Sequence, residues 1–108
     1  MKIINIHRHT NTDELFAILQ EKLNPLFQLQ KQSDLTFYIE NTGNFIEISE
    51  PNIYEGFLFR IEINGSELCI TRSEHYVDDV NSLTLESVLN TLFEELSGDK
   101  GVSLTLEG

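Results

Sequence analysis

Several things are scarce in this chain, and each scarcity removes a class of protein. Cys69 is the only cysteine among 108 residues, so no intramolecular disulfide framework exists. Two prolines and six glycines against 40% hydrophobic residues are too few for a low-complexity or disordered segment and fit a globular domain. No apolar run approaches the ~20 residues that a membrane-spanning helix needs. Seven basic residues face eighteen acidic ones, the wrong balance for holding a phosphate backbone. Residues 1–108 are expected to form one domain around a single core. The opening Met1-Lys2-Ile3-Ile4-Asn5-Ile6 does not read as a secretory leader, so the expected address is the cytoplasm.

Charge is the strongest global feature. The net charge is −11, and between residues 32 and 99 fourteen acids meet only Arg60 and Arg72, so that interval carries −12 and the remainder +1. A field of this sign repels nucleic acid and anionic membrane and speeds encounter with a basic protein. Acidity also keeps small domains soluble, so charge alone gives a direction and not a function.

Periodicity supplies the elements. Residues 2–6 read as a strand, and Thr10-Asn11-Thr12-Asp13-Glu14 supplies cap and first-turn residues for a helix. Leu15, Ile18, Leu19 and Leu23, with Phe16, form its apolar stripe, and Asn24-Pro25 is expected to end it. Residues 26–30, 35–40 and 44–49 then read as strands, the last two joined across Gly43. Phe57, Phe59, Ile61 and Ile63 alternate with Leu58, Arg60, Glu62 and Asn64, predicting a strand with one face in the core. Asn64-Gly65 predicts a type I′ turn returning through residues 67–72. Leu85, Val88, Leu89, Leu92, Phe93 and Leu96 predict a second helix, started by Ser82 or Thr84 and ended by Ser97-Gly98, with residues 102–106 as an edge strand. The expected fold class is α+β: a mostly antiparallel sheet of about five to seven strands with two amphipathic helices on its apolar face.

Catalytic chemistry finds little footing. Tyr76-Val77-Asp78-Asp79 resembles the signature of reverse-transcriptase palms, but two-metal catalysis needs further carboxylates converging on ions ~3.5–4 Å apart and a basic groove for phosphates. An acidic loop before the second helix is the better reading. Glu74, His75, Asp78 and Asp79 have ligand-like spacing without a sign that they converge, and His7 and His9 would share a face only if the first strand runs that far. Cys69 sits inside a predicted strand, and no nucleophile elbow or phosphate loop is present. No enzyme activity, cofactor or metal is expected.

What remains is a surface of acids interleaved with tyrosines. Glu40, Glu47, Glu50, Glu55, Glu62, Glu74, Asp78 and Asp79, with Tyr38, Tyr54 and Tyr76, are expected on strand exteriors and loops. Carboxylates form charge-assisted bonds to arginine and lysine, and tyrosine adds contact area with a polar tip. In size, charge distribution, α+β pattern and acid–tyrosine content the chain resembles the immunity proteins of bacterial toxin–immunity systems, including those of contact-dependent growth inhibition. That resemblance implies a cytoplasmic antidote that binds and neutralises a basic toxin domain such as a nuclease. The charge leads us to expect no nucleic-acid or membrane partner, and a monomer is the favoured state. Two alternatives stand beside this: an acidic secretion chaperone, likewise small and α+β, that holds an effector segment, and a metal-dependent phosphotransfer or hydrolytic enzyme centred on Asp78 and Asp79.

Overall fold

The computed structural model describes residues 2–7, 9–32, 35–74 and 79–97, and the backbone of 103–106. The elements run β1 (Lys2–Asn5), α1 (Thr12–Lys31), β2 (Tyr38–Asn41), β3 (Phe45–Ser49), β4 (Phe57–Asn64), β5 (Glu67–Arg72), α2 (Val80–Ser97) and β6 (Ser103–Leu106). The strands form one six-stranded sheet in the order β2-β3-β4-β5-β1-β6, and every pairing is antiparallel. This is the expected α+β class.

Two helices lie on one face of that sheet. Asn41 donates to Asp13 on α1 at 2.8 Å, and Lys2 donates to Glu86 on α2 at 3.3 Å, so the face carrying Lys2 and Asn41 is the covered one. Ile46, Ile48, Phe59, Ile61, Leu68, Ile70 and Ile4 share that face through direct cross-strand pairing and are all buried. Their counterpart on α2 is the predicted stripe Leu85, Val88, Leu89, Leu92, Phe93 and Leu96, likewise buried.

α1 differs from expectation. Asn24-Pro25 does not end it, and residues 26–30, expected as a strand, form its last turns. The apolar series Leu15, Leu19, Leu23 continues at the same four-residue step to Phe27, and all four side chains are fully buried. An interior proline costs about 3 kcal/mol. Burying Phe27 returns roughly 2–3 kcal/mol, its ring meeting Phe37 edge-on at 4.7 Å. Asn24 adds a pair of hydrogen bonds to the chain leading into β2, accepting from Phe37 N–H at 2.7 Å and donating to Phe37 C=O at 3.1 Å. Each such bond contributes about 1 kcal/mol, so the helix continues. Its start matches expectation, with Asn11 Oδ1 accepting from Glu14 N–H at 2.8 Å, and it ends where Gln32 takes a left-handed conformation.

Four local departures from expectation bear on the surface. Ser49 pairs with Phe57 and Ile48 with Phe59, so Leu58 is the extra residue of a β-bulge. The alternation therefore reverses at that point: Leu58 is buried and Phe57 turns toward the uncovered face. Asn64 pairs with Glu67, so the tight turn is Gly65-Ser66 with Gly65 at φ +65° and Ser66 at negative φ, the pattern of a type II′ turn in place of type I′. β1 stops at Asn5, and His7, at φ +60°, donates its N–H to the Asn5 side chain; the extended strand that would align His7 with His9 is not formed. β2 starts at Tyr38, since Leu35 to Phe37 is bound to α1 by Gln28 and Asn24.

Replacing Asn24 by Ala removes both bonds to the buried Phe37 main chain, and we expect a loss of about 2–3 kcal/mol in urea unfolding. Pro25→Ala, at an exposed position, should instead stabilise α1 by roughly 1–2 kcal/mol; destabilisation by Pro25→Ala would mean that the helix depends on its proline.

Candidate functional site

The face of the sheet opposite the helices is a surface built in rows. Tyr38, Ser49 and Phe57 form one row; Glu40, Glu47, Arg60 and Thr71 the next; Phe45, Glu62, Cys69 and Ile3 a third; and Asn64, Glu67 and Asn5 the last. Among the described residues four glutamates and one arginine lie on it, so its sign is strongly negative. Three aromatic rings lie among them, Tyr38 exposed and Phe45 and Phe57 half-buried.

Arg60 organises this face. Its guanidinium carbon lies 4.4 Å from the centre of the Phe45 ring and 4.5 Å from that of Phe57. Its Nε and Nη2 both donate to Glu47 Oε2, at 2.9 and 2.6 Å. Cation–π contacts of this kind contribute about 0.5–2 kcal/mol each, and the bonded carboxylate fixes the plane of the group. The aromatic rings thus stay accessible on the surface with a cation locked between them.

Glu40 is in a different state. It lies directly opposite Glu47 on the neighbouring strand, where two like charges repel. Glu47 is neutralised by Arg60, whereas Glu40 and Glu62, both exposed, have no ion pair or side-chain hydrogen bond among the described residues. These two carboxylates are free to meet a cation from outside. Glu55, just before β4, and Glu74, just after β5, are also exposed.

Part of the expected surface belongs elsewhere. Glu50 is 5% exposed and Tyr54 9% exposed, so neither is the surface residue the sequence led us to expect. Glu50 accepts at its main-chain oxygen from Ile53 and Tyr54 N–H and at Oε1 from Asn52 N–H, forming a tight turn after Pro51. Tyr54 packs its ring in the core and donates its hydroxyl to Asp79 Oδ2 at 2.6 Å. Asp79 Oδ1 accepts from Ser82 N–H at 2.8 Å and its main-chain oxygen from Leu83 N–H. Asp79 is therefore the N-cap of α2, which begins at Val80, ahead of the expected Ser82 or Thr84. His75, Tyr76 and Asp78, and with them most of the Tyr-Val-Asp-Asp motif, lie outside the described residues, as do Gly98 and residue 102.

These bonds set the ionisation of the pair. Burial is the largest influence on Asp79 and would raise its pKa, but donation from Tyr54 and from the Ser82 and Asn81 amides outweighs it, and the carboxyl titrates below its ordinary 3.8. Burial first, then the bond to the Asp79 anion, holds the Tyr54 hydroxyl above its ordinary 10.0. The knot favours a charged Asp79 and a neutral Tyr54 and leaves neither carboxylate oxygen of Asp79 without a donor.

The residues missed by sequence reasoning are Phe45, Phe57 and Arg60. Phe45 carried a signal, since strand alternation with Ile46 and Ile48 inward places it outward. Phe57 carried none, because the bulge that turns it is not visible in the period. Among the described residues no three His, Cys, Asp or Glu side chains gather as a metal site, and no helix is long and apolar enough to cross a membrane. Comparison with protein-family models, curated proteins and solved structures finds no match to the chain.

Two measurements check this division of labour. Asp79→Ala removes a cap worth about 1 kcal/mol and strands a buried hydroxyl at about 1–3 kcal/mol, so we expect a loss of roughly 2–4 kcal/mol. Tyr54→Phe should cost about 1–2 kcal/mol, with a double-mutant coupling near 1 kcal/mol; additive losses would deny the bond. Because Asp79 is depressed when folded, its contribution is present above pH 3.8 and lost as pH falls below that value. Asp79→Asn, which keeps a cap and an acceptor, should therefore flatten the acid limb of the stability–pH curve. Tyr54, raised when folded, gives the opposite limb, its contribution being lost as pH climbs above 10.0.

Proposed function

We propose that this chain is an immunity-type inhibitor, a cytoplasmic protein without enzymatic activity that binds a basic toxin domain through the uncovered face of its sheet. The observation that carries this reading is the state of Glu40 and Glu62: exposed, uncompensated carboxylates standing on a rigid ladder beside Tyr38 and the Phe45–Arg60–Phe57 stack. Solvation alone would place charge on this face. It would not explain aromatic rings left at its surface, since exposed apolar area among charges suits an interface core that excludes water around a few anchors.

The mechanism follows from two terms. The net charge of −11 draws a basic domain in and raises the association rate, and contact then desolvates Glu40 and Glu62 against partner arginine or lysine, which sets the dissociation rate. Carboxylates so placed occupy the positions that substrate phosphates take on a nuclease. Glu55 and Glu74 extend the acidic rim, while Glu50, Tyr54 and Asp79 support the loop and helix behind it.

Where a toxin-like domain is encoded immediately upstream, co-expression of this chain with that domain should restore growth. The association rate, followed by stopped-flow fluorescence, should fall about tenfold or more from low to high salt. Glu40→Gln/Glu62→Gln should slow association and speed dissociation without lowering the unfolding midpoint, since it also removes a like-charge pair. Affinity indifferent to salt and to this double substitution would reject the face as the binding site.

A further inference from the structure

β2 is an edge strand, and its hydrogen-bonding phase can be read from its hairpin. Thr42 N–H donates to Phe45 C=O at 3.0 Å, which makes that pair one in which main-chain bonds are exchanged. Such pairs alternate with pairs that exchange none in an antiparallel ladder. Tyr38 and Glu40, opposite Ser49 and Glu47, therefore turn their N–H and C=O groups toward β3. Phe37, Ile39 and Asn41 turn theirs away from the sheet.

Phe37 bears out the phase, for both its outward groups are taken by the Asn24 side chain. The amide of Asn24 acts as one residue of a missing neighbour strand and closes the edge at that end. Beyond it, the N–H and C=O of Ile39 and Asn41 meet no partner among the described residues. Proline and lysine, two of the devices that blunt an edge, are absent from Tyr38-Ile39-Glu40-Asn41. The side chains beside these open groups on the uncovered face are Tyr38, 58% exposed, and the unpaired Glu40.

We infer that this edge takes up an extended basic segment of a protein partner as an added strand, hydrogen-bonded to the main chain of Ile39 and Asn41. The residue of that segment opposite Glu40 is a lysine or arginine, and the one opposite Tyr38 is aromatic or β-branched, because cross-strand neighbours stand ~4.5–5.5 Å apart and pair by charge and by shape. The added strand continues the row of Glu40, Glu47 and Arg60 with a further cation next to Glu40, relieving the repulsion between the two glutamates. The sign of the partner rests on the inhibitor reading; the strand pairing rests on the backbone alone.

The test is amide hydrogen exchange by NMR on the full chain, with and without the capped peptide Thr-Arg-Val-Arg-Val-Tyr-Thr as probe. Exchange at Ile39 and Asn41 should slow by about tenfold or more at saturation, and a version N-methylated at alternate residues should have no effect. Unchanged exchange at both amides with millimolar peptide overturns the proposal. If the peptide with Glu in place of Arg protects the amides equally, edge pairing stands and the basic-partner reading falls. If a basic domain binds the open face with both amides still exchanging freely, the reverse holds.

Discussion

One-sided burial is the constraint on which everything else in this molecule depends. Two amphipathic helices can cover one face of a six-stranded sheet, and the covered face takes the isoleucines and leucines of alternate positions. The other face must then be stable in contact with water. Most sheets meet that demand with hydroxyls and scattered charge. This one uses an arginine held between two phenylalanines and tied to a glutamate, which leaves a stiff, mixed aromatic and acidic surface.

That arrangement separates structural acids from available ones. Asp79 and Glu50 are drawn into the turn and helix start behind the sheet, where N–H groups and a tyrosine hydroxyl satisfy them. Glu47 is satisfied by Arg60. Glu40 and Glu62 keep their charge exposed. The acidity of the chain is thus not uniform in its consequences: on the uncovered face Glu47 is spent on Arg60, and Glu40 and Glu62 are not.

Much of the architecture was legible in the sequence because period-two and period-3.6 patterns survive folding. The alternation of residues 59–63, the hairpin across Gly43 and the stripes of both helices all appear where the pattern put them. Failures came where a tertiary contact outweighs a local preference. Asn24-Pro25 reads as a stop, yet the buried Phe27 and the Asn24–Phe37 bonds carry the helix through it. Leu58 reads as exposed, yet a one-residue bulge reverses the alternation and sends Phe57 outward. The site suffered most, because Tyr54 and Glu50 resemble surface residues in composition, yet Glu50 is buried in a local turn and Tyr54 is held by Asp79, 25 residues away. The pairing of Glu47 with Arg60 needs the β3–β4 register, which no single segment contains.

The uncovered face is proposed as the one that meets a partner. Hydroxyl-radical footprinting of side chains, with and without a bound basic domain, tests that proposal. Protection of Tyr38, Phe45 and Phe57, with Leu29 on α1 and Leu83 on α2 oxidised as in the free protein, is the predicted result. Protection of Leu29 or Leu83 with Tyr38, Phe45 and Phe57 still reactive would contradict it.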